Sequence, residues 1–160
     1  MARYVVGTID EIPPGSRKIV EIDGRTVGIF NVKGELFALL NRCPHQAAPL
    51  CEGRTFGFLR PGLVGEFNYA RPGEMLRCPW HGWEFDLRTG QSWFDPKLVR
   101  VRRYDVKVEP GTALLEAEPS AEPGMEGMLK GPYTAETFPV SIEEQYIVVE
   151  IGRPGAAGAR

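Results

Sequence analysis

Apolar positions along the chain recur mostly at a spacing of two. In "RKIVEIDGRTVGIFNVKGELFALL", residues 17–40, β-branched and aromatic runs are cut by Asp23-Gly24 and Lys33-Gly34. Such dipeptides supply the positive φ angles of tight hairpin turns, so the pattern predicts a three-stranded meander. Residues 92–111, "SWFDPKLVRVRRYDVKVEPG", place Val99 and Val101, then Val106 and Val108, in the alternation of a half-buried strand. Residues 136–151, "ETFPVSIEEQYIVVEI", carry two more strand-like runs around a polar turn and predict a closing hairpin. Helical periodicity with capping signals extends nowhere over a useful length; only 124–130 and 134–138 fit a single helical turn. The pattern is all-β.

Two segments interrupt it. Residues 110–132 contain Pro110, Pro119, Pro123 and Pro132 with Gly111, Gly124, Gly127 and Gly131, a density that predicts a long surface loop. The end, "GRPGAAGAR", has nothing to bury, so residues 153–160 are expected to be a flexible tail. With 160 residues, 42% of them hydrophobic, the rest makes one domain over residues 1–152. A net charge of -2 provides no basic field for nucleic acid. The longest apolar run, "YIVVEI", is far short of the roughly 20 residues of a membrane span. Asp10 interrupts the N-terminal apolar stretch before it reaches the length of a secretory signal, which points to the cytoplasm. Three cysteines suit a metal site better than a disulfide framework. No G-x-G-x-x-G or P-loop occurs, so no nucleotide cofactor is expected.

The chain has two histidines, and each stands beside a cysteine. Cys43-Pro44-His45 lies in "NRCPHQAAPLCEG" and Cys78-Pro79-Trp80-His81 in "RCPWHGWEFD", both among turn-forming prolines and glycines. Two thiols and two imidazoles from two loops can hold a metal. Zinc modules usually take two thiolates from one knuckle and two imidazoles from a helix. Here each loop contributes one of each, as C-x-H and C-x2-H.

These residues resemble the two cluster loops of the Rieske [2Fe-2S] family, and the likeness in "CPHQAAPLCEG" and "CPWHGWEFDLRTG" runs well beyond the four donors. The resemblance implies an antiparallel β-sandwich with both loops at one tip. It also implies one [2Fe-2S] cluster per chain, with Cys43 and Cys78 on the inner iron and His45 and His81 on the outer one. Two departures stand out. Thirty-two residues separate His45 from Cys78 (positions 46–77), more than the family usually has, so residues 54–76 read as an inserted hairpin that reshapes the surface near the cluster. Respiratory members carry an extra disulfide-bonded cysteine in each loop; here Trp80 stands at the second position, leaving Cys51 without a partner, as a small packed residue. Trp80, Trp83, Phe85, Trp93 and Phe94 read as an apolar shell, and Pro96 as part of a third loop across the cluster.

The resemblance implies a soluble, ferredoxin-like one-electron carrier that exchanges electrons with redox protein partners, a reductase and a terminal oxygenase or similar acceptor. An oxygenase's own iron needs two further histidines and a carboxylate, and no histidine remains, so no complete catalytic site is expected. Two other readings are kept: the Rieske small subunit of a larger oxidoreductase, as in assimilatory nitrite reductase, and a structural Cys2His2 zinc module. High-potential members place a serine and a tyrosine where Trp83 and Phe85 stand, so the resemblance further implies a low reduction potential.

Overall fold

The computed structural model describes residues 2–93, 99–115 and 145–151, and these residues form nine strands. They are β1 (Ala2–Thr8), β2 (Arg17–Ile22), β3 (Arg25–Val32), β4 (Glu35–Leu40), β5 (Arg54–Arg60), β6 (Asn68–Arg77), β7 (Glu84–Asp86), β8 (Arg103–Pro110) and β9 (Gln145–Ile151). Six make one antiparallel sheet in the order β1-β9-β8-β4-β3-β2, and three make a second, β5-β6-β7. No described helix is long and apolar enough to cross a membrane.

The predicted meander is β2-β3-β4. Asp23 (φ 51°) and Gly24 (φ 69°) form one turn, Lys33 (φ 54°) and Gly34 (φ 93°) the other, which brings Lys18 opposite Ile29 and Phe30 opposite Phe37. These turns matter because β3 and β4 are apolar on both faces, so alternation alone cannot set their register. Val27, Ile29 and Ala38 pack on one side with Ile147, Val149 and Tyr104. Phe30, Phe37 and Leu39 pack on the other with Leu76 and Phe85 of the small sheet and with Leu87, which follows β7. That second core also contains Cys43 and Cys78, so the candidate site is anchored in the seam between the sheets.

Elsewhere the structure modifies the sequence expectations. The hairpin over 54–76 is present, but its stem is part of the fold: Arg54, Thr55 and Phe56 pair with Arg77, Leu76 and Met75, and these three in turn pair with β7. Only the part beyond the register shift between Phe56 and Phe58 projects, and it exposes Leu59, Leu63, Val64, Phe67 and Tyr69. Within 92–111, regular strand starts only at Arg103. Val101 instead turns inward, its amide bonded to the Gly90 carbonyl, and joins the core. Gly111–Leu115 is helical (α1) at the start of the expected loop, since Pro110 ends β8 and Ala113, Leu114 and Leu115 are strong helix formers. β9 pairs with β1 and β8; the first half of the expected closing hairpin, the single helical turns at 124–130 and 134–138, Phe94, Pro96 and the 153–160 tail lie outside the described residues.

A charged network ties the two sheets together. Glu74 on β6 accepts from Arg71 Nε (2.7 Å) and Arg88 Nε (2.9 Å); Arg88 also reaches Glu35 on β4, and Arg71 binds both oxygens of buried Asp86. Arg88, and then Arg71, hold the Glu74 carboxyl down to about 2, from an ordinary value near 4.5. A carboxylate with a depressed folded value contributes its full stability above about pH 4.5 and loses it as the pH falls toward 2. Glu74→Gln is therefore expected to cost about 1–2 kcal/mol at pH 7, allowing for solvent screening of the partly exposed arginines, and almost nothing near pH 2. Urea denaturation at the two pH values measures this; an equal loss at both would show that shape, not charge, matters at this position.

Candidate metal centre

The two cysteine-histidine loops have the same backbone design. In the first, which links β4 to β5 across the sheets, the Cys43 amide donates to the Ala48 carbonyl (2.9 Å) and the Ala47 amide to the Cys43 carbonyl (2.8 Å). In the second, between β6 and β7, the Cys78 amide donates to Trp83 (2.7 Å) and the Gly82 amide to Cys78 (3.1 Å). Each loop thus closes on its own cysteine, with the residue four positions on in the left-handed region, Ala47 at φ 61° and Gly82 at φ 73°. That conformation suits glycine and strains alanine slightly, so the first loop keeps its shape against a small local cost.

The loops bring the four side chains named from the sequence to one place. Cys43 and Cys78 are buried, 1% and 2% exposed, and their thiols interact with each other. Burial pushes the Cys43 thiol up, the backbone N–H of His45 holds it down by donating to sulfur, and Cys78 pushes it up again. The imidazoles are exposed, with ring centroids 4.9 Å apart and planes at 83°. Trp83 stacks on His45 at 4.7 Å and 17°, while Trp80 meets His81 edge-on at 6.4 Å. Thiols therefore face the core and imidazoles face out. Among the described residues no three His, Cys, Asp or Glu side chains gather as a single metal ion requires.

The Rieske [2Fe-2S] domain matches residues 2–105. The chain belongs to this family. Among Rieske proteins it is similar to the ferredoxin component of naphthalene 1,2-dioxygenase/salicylate 5-hydroxylase systems of Ralstonia sp, 30% identical over 110 residues, 69% of this chain and 90% of that one. It is also similar to the biphenyl dioxygenase ferredoxin subunit of Pseudomonas sp. strain KKS102, 31% identical over 109 residues, 68% of this chain and 86% of that one. In three dimensions it resembles the ferredoxin of carbazole 1,9a-dioxygenase from Nocardioides aromaticivorans IC177, with TM-score 0.52, 28% identity and coverage of 68% of this chain and 91% of that one.

A Rieske domain carries a [2Fe-2S] cluster, and the donor set here fits one. Such a cluster takes two ligands at each of two irons, and the side chains are sorted as a sulfur pair inside and a nitrogen pair outside. Their two-and-two division also accounts for the lack of a point where three donors meet.

Cys51 stands apart from the four. It is fully buried, its thiol is pushed up to about 12 by burial, and its backbone is held by Asn41 Oδ1 (2.7 Å) and by Arg17 Nη1 (2.8 Å). It packs over Gly28 of β3, where a Cβ would come within 2.5 Å of its sulfur. The small packed residue expected from the sequence is what the structure shows, and its environment is that of an inert thiol. Of the apolar shell, Phe85 is wholly buried and Trp83 stacks on His45, but Trp80 and Trp93 are more than half exposed.

Proposed function

We propose that the chain is a one-electron carrier of the oxygenase-ferredoxin kind, with Cys43 and Cys78 holding the inner iron and His45 and His81 the outer one. The observation that carries this reading is the sorting of the donors, buried thiols behind exposed imidazoles, in a domain whose relatives are ferredoxin components of dioxygenase systems. When bound, the cluster supplies a site that accepts and releases single electrons. The protein's own residues do the rest: the loop hydrogen bonds fix the donors, Phe85 and Leu76 keep water from the inner side, and the imidazole edge is left for a partner. We place the protein in the cytoplasm, between a reductase and a terminal oxygenase.

In a mixture of NADH, reductase and terminal oxygenase, product formation is expected to require this protein as a separate, catalytically recycled component. If it instead leaves a lysate of its own cells at fixed stoichiometry with a large catalytic subunit, the small-subunit reading replaces this one.

The electron-exit surface follows from exposure. His45, His81 and Trp80, the last 57% exposed, form the tip, while Pro49 is only half-buried at its margin. Beside His81 a groove of about 430 Å³ runs past Trp83 and Glu84 to Trp93, whose ring meets Phe58 of the projecting hairpin edge-on at 4.9 Å. Carriers of this sort use small, transient interfaces, below about 1,200 Å2, in which a few aromatic side chains dominate. Trp80→Ala is expected to leave the visible spectrum intact and slow electron transfer to the oxygenase by roughly tenfold. Stopped-flow oxidation of the reduced protein measures this, and an unchanged rate would move the interface away from Trp80.

A further inference from the structure

Residues 71–74 of β6 lie opposite Gly57 of β5 alone, with Arg71 at φ 49° and Gly73 at φ 80°, so the strand pair bends there and the rest of the hairpin projects as an arm. The bend is fixed. A Cβ on Gly57 would come within 2.6 Å of the Ala70 carbonyl oxygen. Arg71 binds Asp86 and Glu74 and lays its guanidinium over the Phe58 ring, 5.7 Å from the centroid, while Trp93 meets the same ring edge-on. The turn of the arm is closed as well: the Leu63 amide donates to Glu66 Oε2 (3.1 Å) and the Glu66 amide to the Leu63 carbonyl (2.9 Å). One face of the arm therefore rests on its own chain at a set angle.

The other face is bare. Leu59 and Tyr69 stand directly opposite each other on it, and the turn adds Leu63, Val64 and Phe67; all five are more than half exposed, Phe67 83% and Val64 completely. Beyond the bend, three cross-strand pairs join the two strands: Phe58 with Ala70, Leu59 with Tyr69, and Arg60 with Asn68. So short a two-stranded ribbon gains little stability from itself. Five bare side chains of this size present on the order of 600–800 Å2, at or above the largest apolar patch of a typical monomer.

Area and charge together say what covers this face. A surface of that size on each of two chains matches the roughly 800 Å2 per partner of a stable interface, whereas transient electron-transfer contacts are smaller. Residues 58–70 carry two charged side chains, Arg60 and Glu66, of opposite sign, and neither has an ion-pair partner among the described residues. An arm steered to an oppositely charged protein needs a net charge, and this one has none. A twofold axis instead sets each Arg60 toward Glu66 of the second copy, where one carboxylate oxygen is left over from the bond to Leu63, with the apolar side chains between.

We propose that the arm is a self-association surface, through which two copies of this chain pair about a twofold axis. β6 runs from the arm to the Cys78 loop, so pairing takes place at the end of that strand remote from Cys78. Neither the family nor the four cluster donors enter the argument, so the proposal stands or falls apart from the electron-carrier reading.

Sedimentation equilibrium of the full, cluster-loaded chain over a range of concentrations tests it. A mass of twice the 17.8 kDa chain is expected. Leu63→Ser with Phe67→Ser is expected to weaken association by about tenfold or more. The visible spectrum should stay unchanged, because both side chains are exposed in the single chain. Arg60→Glu and Glu66→Lys are each expected to weaken the dimer, and an equimolar mixture of the two to restore it, since mixing sets every altered charge against an opposite one. A single-chain mass at every concentration would overturn the proposal, whether another part of the chain or a redox partner then covers the arm. So would a dimer that the Leu63→Ser, Phe67→Ser protein forms equally well, or a mixture that associates no more tightly than its components.

Discussion

His81→Ala is expected to yield colourless protein, whereas the unaltered chain is expected to be red-brown with two irons and two acid-labile sulfides per chain. The loss should be complete, because the outer iron would keep only His45, and the Cys78 loop carries its other donor on the same short turn closed by the Gly82 amide. Cys51→Ala is the control. It lies near the site but packs over Gly28 as a small apolar residue, so the cluster should assemble normally while stability falls by about 1 kcal/mol for the truncated side chain. Iron and sulfide analysis of the purified variants measures both. Colour lost with Cys51, or one zinc per chain in place of iron, would show the assigned donor set to be wrong.

The sequence made the meander legible because its turns are local: Asp23-Gly24 and Lys33-Gly34 set register without help from the rest of the chain. The four side chains proposed as donors stand out in the sequence for a similar reason, since each pair sits within four residues and no other histidine competes. Long-range pairing was less so. Residues 54–76 looked like an addition between two loops, yet Thr55 and Phe56 complete the sheet that presents Cys78, because β6 has a partner on each side. Val101 fits a strand by alternation, but the Gly90 carbonyl that draws its amide inward is eleven positions away (101 less 90). The stacking of Trp83 on His45 likewise depends on how the two loops approach each other, which no spacing within either loop specifies.

That stacking bears on the reduction potential, expected near the low end of the family range, about -150 mV. Donors to the cluster sulfurs or to a ligand thiolate stabilise the more negative reduced state and raise the potential. The resemblance to the family implies that its high-potential members place hydroxyls at the positions where this chain has Trp83 and Phe85. Here the Trp83 ring lies flat against His45, an orientation set by stacking, and an indole N–H sits too far along its ring to replace a serine hydroxyl. Phe85 is wholly buried in the core that contains Cys43 and Cys78, so its ring displaces water from the inner side without offering a proton. The backbone N–H of His45, which donates to Cys43, remains, but it comes from the loop itself and does not replace the two hydroxyls. Phe85→Tyr is therefore expected to shift the potential upward, by adding a hydroxyl to the core that contains Cys43 and Cys78, where a buried hydroxyl seeks an acceptor. Protein-film voltammetry of both proteins gives the values directly. A potential above about +100 mV for the unaltered chain would mean that another donor replaces the missing hydroxyls, and a carrier poised so high would be fed by a quinol-like donor rather than by an NADH-dependent reductase.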